Sequence, residues 1–117
     1  MEHYYLVDVP GNGLYHLTGL KEIHENRISI GRNKSNIKLG RAKETPYLER
    51  VEDPHAILTY ERGRWYIQAA PGCLVHLFRE GRLDGVIEHS QKEILVSGTK
   101  IRLGSRETGY ELEFKTL

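Results

Sequence analysis

Two short polar stretches hold the side chains best suited to binding chemistry. In ISIGRNKSNIKL, residues 28–39, Arg32 follows Gly31 at the end of an alternating apolar run, and Lys34 and Ser35 come next. A guanidinium binds an anion through two forked, charge-assisted hydrogen bonds. Gly31 would let the backbone turn sharply before the arginine. This turn is a candidate anion-binding site, and the alternative is an ordinary solvated turn.

The second stretch is VEDPHAIL, residues 51–58, in which His55 stands three positions after Glu52. A single histidine just before an apolar run is more often a hydrogen-bonded core residue than a metal ligand. The other histidines are scattered singly, without the spacing of a zinc site. They are His3, His16, His24, His76 and His89. We therefore expect no metal site.

Catalysis and cofactor binding have no motif in this sequence. Cys73 opens an apolar stretch, and no motif places a base beside it, so a thiol enzyme is not indicated. No glycine-rich phosphate-binding loop precedes a helix. The net charge of +1 and the dispersed aromatic residues disfavour a nucleic-acid surface. We expect no enzyme activity, no cofactor and no nucleic-acid partner.

The composition indicates one globular domain. The chain has 117 residues, of which 38% are apolar and 28% charged, and we assign residues 1–117 to a single domain. No apolar run approaches the ~20 residues that span a membrane, and the first residues lack the features of a secretory signal. The one cysteine, Cys73, cannot form an internal disulfide, so we expect a cytoplasmic protein.

Short alternating runs separated by turn residues predict an all-β protein. About ten strands divided by glycine-containing turns favour a β-sandwich or a barrel, and no amphipathic pattern lasts long enough for a typical helix. The runs 27–31 and 36–40 flank a polar turn and are predicted to form a hairpin. The predicted strands are 3–9, 14–20, 27–31, 36–40, 55–61, 64–70, 73–78, 85–90, 92–96, 99–104 and 110–117.

One longer segment, RAKETPYLER at 41–50, has no period and separates two predicted strands. Loops of this length are often functional, although a plain solvated insertion fits the sequence equally well. Thr45 precedes a proline, so a proline-directed kinase could modify it. The basic residues of the segment should lie near the Arg32 turn; they are Arg41, Lys43 and Arg50.

Several landmarks follow one another along nearly the whole chain. They are Gly31-Arg32, Asn36-Ile37-x-Leu39, Val51-x-x-x-His55-Ala56-x-Leu58, Gly63-x-Trp65-x-Ile67 and Leu95-x-x-Gly98-x-x-Ile101-x-Leu103-Gly104. Their order and spacing resemble the forkhead-associated (FHA) domain. The resemblance implies an FHA/SMAD-like, two-sheet β-sandwich of eleven strands that binds phosphothreonine peptides with the loops at one end, without catalysis. It also implies that Arg32 contacts the phosphate and that buried His55 ties the loops together.

The sequence departs from the FHA pattern at positions that hold the phosphopeptide in that family. Glu52 stands where the family has a phosphate-binding serine, and an ionised carboxylate cannot donate a hydrogen bond to a dianion and repels it. Glu52 could instead pair with Arg32 and occupy the phosphate position. The asparagine that grips the peptide corresponds to Pro71. Ala69 replaces an acidic residue, and Thr99 replaces another at a position that is structural in the family.

These departures lead to two hypotheses, and both assign the chain a role in protein interaction. A third hypothesis, an enzyme, has no support in the sequence. The first is a degenerate FHA module that docks a protein partner without standard phosphothreonine recognition, as a scaffold part of a signalling or secretion assembly. The second is phosphothreonine-peptide binding through a basic cluster of Arg32, Lys34, Arg41 and Arg50. If Glu52 faces the loop cleft, phosphate is disfavoured. The predicted partner-binding residues are Arg32, Lys34, Ser35, Arg50, Glu52, Gly72 and Cys73, with Gly31 and His55 as structural support.

Overall fold

The computed structural model describes residues 3–40, 48–89, 91–107 and 109–116. Eleven strands, one short helix, α1 (Leu17–Ile23), and one 3-10 turn (Leu48–Arg50) make up its regular structure. Neither helical segment in these ranges is long and apolar enough to cross a bilayer. The strands are β1 (Tyr4–Asp8), β2 (Gly13–His16), β3 (Arg27–Gly31), β4 (Ile37–Lys38), β5 (Ala56–Glu61), β6 (Arg64–Ala69), β7 (Val75–Arg79), β8 (Arg82–Ile87), β9 (Lys92–Leu95), β10 (Lys100–Leu103) and β11 (Tyr110–Thr116).

The strands form two sheets. One has six strands in the order β2-β1-β11-β10-β7-β8, and the other has five in the order β4-β3-β5-β6-β9. The prediction of an all-β, two-sheet sandwich of about eleven strands is confirmed. Each predicted strand overlaps one observed strand, although the limits differ and 14–20 and 85–90 match only in part, because alternation of apolar and polar residues marks a half-buried strand directly.

The core lies between the sheets. Along β6, Trp65, Ile67 and Ala69 are buried, while Tyr66 and Gln68 alternate with them and are only half-buried. Tyr66 and Gln68 face the other side of the strand, since successive side chains of a strand point to opposite faces. The largest wholly buried side chains are Trp65, Tyr110, Phe114, Leu6, Leu17, Ile28, Ile30, Ile37, Leu39, Leu58, Ile67 and Leu77.

One predicted strand is half wrong. The run 14–20 was predicted as a strand throughout, but β2 ends at His16 and the chain continues as α1. Leu17 is fully buried and Leu20, one helical turn later, packs against the core. Residues three apart share a helix face, so a single turn places both leucines inside although it is too short to leave a periodic signal.

The predicted hairpin at 27–40 is also wrong. β3 and β4 are parallel, with Ile30 beside Ile37. The side chains of Ser29 and Asn36 exchange hydrogen bonds with each other's backbone amides, at 2.9 and 3.0 Å. These bonds bring the chain back beside β3 before it runs on in the same direction, and the Leu39 N–H then donates to the Gly31 carbonyl at 2.9 Å.

Four connections meet at one end of the sandwich, which we call the loop end. Their described residues are 32–36, 51–55, 70–74, 104–107 and 109. In the five-stranded sheet, the register places the end of β3, the start of β5 and the end of β6 side by side. In the six-stranded sheet, it does the same for the start of β7, the end of β10 and the start of β11. Residues 70–74 cross from one sheet to the other, so both groups lie at the same end.

Candidate peptide-binding site at the loop end

His55 joins three of the loops. Its Nδ1 accepts the Glu52 N–H at 3.0 Å, and its Nε2–H donates to the Leu74 carbonyl at 2.9 Å. The Gly104 N–H donates to the same carbonyl at 2.9 Å. His55 is only 3% exposed, and this burial lowers the pKa of its imidazole below 6.5, although the Leu74 carbonyl and the Glu52 charge act in the opposite sense. The neutral imidazole ring therefore links the loops by hydrogen bonds.

Asp53 holds the turn that follows β3. Its Oδ2 accepts the backbone N–H groups of Asn33 at 2.9 Å and Lys34 at 2.6 Å. Its Oδ1 accepts the Ser35 N–H at 3.1 Å and the Ser35 hydroxyl at 2.6 Å. Successive backbone amides that converge on one point form an anion-binding concavity. Here the protein's own carboxylate occupies that concavity.

Gly31 makes room for this contact. A Cβ atom at Gly31 would fall against the Asp53 carboxylate and the Ser35 hydroxyl, closer than real Cβ atoms approach. We attributed Gly31 to a sharp turn from sequence. The structure gives the close approach of Asp53 and Ser35 as the physical reason for a glycine there.

A cleft of about 300 Å³ opens between the loops. Burial raises the pKa of the Cys73 thiol, and the negative charge of Glu52 raises it further. Glu52 lines the cleft together with His55 and Cys73, and its charge acts on the pKa of both side chains. A protonated, buried thiol is a poor nucleophile. The cleft is lined by Arg50, Glu52, His55, Gly72, Cys73, Leu74, Gly104 and Ser105.

The predicted site residues thus fall into two neighbouring groups. Arg50, Glu52, Gly72 and Cys73 line the cleft. Arg32, Lys34 and Ser35 belong to the turn held by Asp53 and are not among the cleft-lining residues of the described ranges. Arg41, Lys43 and Thr45 lie outside the described residues.

Comparison with known proteins rests on structure, since the sequence matches no protein-family model and no curated protein. Full-length yeast Pml1p superposes with a TM-score of 0.72 and 19% identity over 99% of this chain and 83% of that one. A second structure concerns the yeast Pml1 splicing factor and its integration into the RES complex, with a TM-score of 0.70 and 18% identity over 99% and 80%.

Two FHA domains match nearly as well. One, from an Arabidopsis thaliana hypothetical protein, has a TM-score of 0.63 and 16% identity over 99% of this chain and 85% of that one. The other comes from a structural and functional analysis of phosphothreonine-dependent FHA interactions, with a TM-score of 0.60 and 18% identity over 97% and 95%. The chain has the FHA fold. At these identities the similarity shows the fold alone, and the kind of partner has to be inferred from the residues of the site.

The loop 70–73 shows how this FHA fold differs at the position predicted for the peptide-gripping asparagine. The Cys73 N–H donates to the Ala70 carbonyl at 3.0 Å, and Gly72 has a φ of +77°. Proline at the second position and a left-handed glycine at the third define a type II turn. Pro71 offers neither an N–H nor a side-chain amide, so this turn cannot hold a peptide as an asparagine would.

Arg32 and Glu52 do not form the ion pair that we considered from sequence. No such pair occurs among the residues that the structure describes, and Asp53, one position later, engages the turn instead. The Arg32 Nε is buried and lacks a hydrogen-bond partner among the residues described. Sequence reasoning missed Asp53, for which the available signal was a second carboxylate directly before Pro54 in the His55 motif.

The acid titration of Asp53 tests its contact with the turn. Partial burial alone would raise its pKa, but hydrogen bonds from the Ser35 hydroxyl and from the Lys34, Asn33 and Ser35 amides lower it from 3.8 to about 2. Because the folded-state pKa is depressed, this contact stabilises the fold above about pH 4 and is lost as the pH falls toward 2.

We expect carboxyl-carbon NMR to give a pKa of about 2 for Asp53, and Ser35→Ala to raise it, because the shortest side-chain donor is removed. Ser105→Ala is the matched control, and it should leave the Asp53 titration unchanged. A wild-type value near 3.8 would contradict the contact.

Proposed function

We propose that this chain is a non-catalytic protein-interaction module that docks an unmodified segment of a protein partner in its loop-end cleft. The observation that carries the proposal is the Glu52 carboxylate, which acts on both Cys73 and His55 at that cleft. It stands at the position where the FHA resemblance places a phosphate-binding serine. We infer a scaffold role for the module in a cytoplasmic assembly of the signalling or secretion type.

Electrostatics decides against a phosphate beside Glu52. A phosphate carries a charge of about −1.5 to −2 at pH 7. Two unit charges about 4 Å apart interact by about 4 kcal/mol at an effective dielectric constant near 20. An ionised carboxylate also has no hydrogen to donate to a phosphate oxygen. Glu52 therefore repels a phosphate that a serine would bind, and this repulsion is large enough to favour an unmodified segment over a phosphorylated one.

The turn after β3 supports the same proposal. Its three backbone amides and the Ser35 hydroxyl are donors of the kind that bind phosphate, and Asp53 already accepts from all of them. An incoming anion would have to displace a carboxylate whose ionised form these bonds stabilise. An unmodified segment needs no such displacement.

The compared structures are consistent with an interaction module. The yeast Pml1 splicing factor is integrated into the RES complex, and an FHA domain of similar structure takes part in phosphothreonine-dependent interactions. A common fold can carry both modes, because function depends on the residues at the loops.

A second candidate, phosphothreonine-peptide binding through the basic cluster, is favoured by one observation. The buried Arg32 Nε lacks a partner among the described residues, and a buried donor without an acceptor is costly. A phosphate oxygen could supply that acceptor, with the exposed Lys34 beside it.

The two candidates separate in a binding experiment with paired degenerate peptide libraries that carry either threonine or phosphothreonine. Fluorescence anisotropy would be measured for the wild type, Arg32→Ala and Glu52→Ser. We expect the wild type to bind members of the unmodified library with no preference for the phosphorylated one. We expect Glu52→Ser to raise the affinity for phosphorylated peptide relative to its unmodified twin about tenfold or more, since removing the repulsion is worth at least ~1.4 kcal/mol.

Matched substitutions away from the loop end control for net charge. Glu22→Ser, on the exposed surface of α1, changes the charge as Glu52→Ser does, and Arg82→Ala, at the opposite end of the sandwich, does so for Arg32→Ala. Neither should change the phosphate preference. Phosphate-dependent binding by the wild type that is lost in Arg32→Ala would overturn the proposal and establish the second candidate.

A further inference from the structure

Two histidines lie together at the edge of the six-stranded sheet, away from the loop-end cleft. His16 ends the edge strand β2 and lies directly opposite Tyr5 of β1. His3 precedes Tyr5 by two residues, which places it on the same face of the strand. The His3 Nδ1 and the His16 Nε2 form a hydrogen bond of 3.2 Å, which a bound ion would replace. His16 is exposed and His3 half-buried, so a solute can reach the pair.

Packing holds the two rings in place. The His16 ring stacks on the Tyr5 ring, with centroids 5.0 Å apart and planes inclined by 23°. The His3 ring packs against the His16 ring, with centroids 5.3 Å apart and planes inclined by 34°. The side chains therefore lose little further freedom when a ligand fixes them, which is the condition for a preorganised site.

The nitrogen separation suits a metal ion. Imidazole nitrogens bind zinc at about 2.0–2.1 Å. Two such bonds that end on nitrogens 3.2 Å apart enclose an angle of about 100°, which lies between the ~90° of octahedral or square-planar sites and the ~109° of tetrahedral ones. We propose that His3 Nδ1 and His16 Nε2 form a two-histidine site for a divalent transition-metal ion such as zinc, nickel or copper.

The surroundings leave coordination positions open. Among the described residues no group of three or more histidine, cysteine, aspartate or glutamate side chains could hold a metal, so within this part of the chain the two imidazoles leave coordination positions for water. Of the nearby lysines, Lys21 lies over the Tyr60 ring, and Lys115, opposite Tyr5, has its ammonium 3.8 Å from Glu113. Both ammonium groups thus have other partners, which limits their repulsion of the ion.

The site makes a prediction that a surface histidine alone would not. Isothermal titration of the metal-free chain with ZnCl₂ at pH 7.5 should show one ion per chain, and His16→Ala should weaken binding about tenfold or more, because one of two ligands is lost. His3→Ala should do the same. Since the inference is independent of the loop-end proposal, neither result bears on the other.

His89→Ala is the matched control, because His89 is exposed and lies at the loop end of the molecule. It should bind zinc as the wild type does. His16→Gln, which keeps a polar ring-sized side chain, separates ligand loss from local unfolding and should lose zinc equally. Unchanged affinity in His16→Ala, or no binding up to about 1 mM zinc, would overturn the site.

Discussion

Asp8→Ala is expected to lower the free energy of unfolding by about 2–4 kcal/mol. Asp8 is 1% exposed, and its Oδ1 accepts the Tyr110 hydroxyl at 2.6 Å and the Gly11 N–H at 2.9 Å. Its Oδ2 accepts the Gly40 N–H at 2.9 Å. Alanine would remove the acceptor that these three donors share, and a buried donor that loses its acceptor costs more than a hydrogen bond contributes.

Urea unfolding followed by the fluorescence of the single tryptophan, Trp65, would measure this effect, with an unchanged slope against urea showing that the native state is intact. Asp84→Ala is the matched control. Asp84 forms an exposed ion pair with Arg79 at 2.6 Å, and such pairs contribute less than about 1 kcal/mol. Tyr110→Phe, which removes one donor, should fall between the two. Equal costs for Asp8→Ala and Asp84→Ala would contradict this account.

His55→Ala is expected to lower the free energy of unfolding by a similar amount, about 2–4 kcal/mol, through a buried cavity and the loss of two hydrogen bonds. The Glu52 N–H and the Leu74 carbonyl both lose their side-chain partner. Because these groups belong to different loops, we also expect the amide signals of Gly72 and Gly104 to shift or broaden in NMR spectra. His24→Ala, just before β3 at the opposite end of the sandwich, should leave the Gly72 and Gly104 signals unchanged.

The same histidine gives stability a pH dependence. Burial lowers the folded-state pKa of His55 below 6.5, its ordinary value in the unfolded chain. At a pH between the folded-state and unfolded-state pKa values, the unfolded chain binds a proton that the folded chain does not. Stability therefore falls as the pH drops below about 6.5, and it levels off once the folded state is also protonated. Urea midpoints measured from pH 5 to pH 8 should show this slope in the wild type and a smaller one in His55→Gln. An equal slope in both proteins would assign it to other groups.

Both residues bear on how the FHA fold builds its loop end. Asp8 joins the β1–β2 turn to Gly40 and to the start of β11, and His55 joins the connections that surround the cleft. The loops thus depend on buried polar groups for their positions, as expected where a segment has little apolar surface of its own. Substitutions that loosen them should weaken partner binding without touching the partner.

The strand pattern could be predicted from the sequence because alternation is a local property. Each run of apolar and polar residues reports which face of its own strand meets the core, so eleven strands and their approximate limits follow without knowledge of their neighbours. The order of landmarks then gave the FHA sandwich. The Gly31-Arg32 turn and His55 were found in the same way, since both lie in short contiguous motifs.

What only the tertiary structure decided are the partners of groups distant in sequence. Asp53 contacts a turn about twenty residues earlier, and Tyr110 donates to Asp8 across 102 positions. The direction of β4 and the short helix α1 also depend on contacts outside their own segments. The sequence around a carboxylate does not show which groups will donate hydrogen bonds to it. Neighbouring acidic residues have similar chemistry, and only the packed chain determines which of them meets the donors. The sequence alone therefore pointed to Glu52 as the acid that fills the turn, and folding placed Asp53 there.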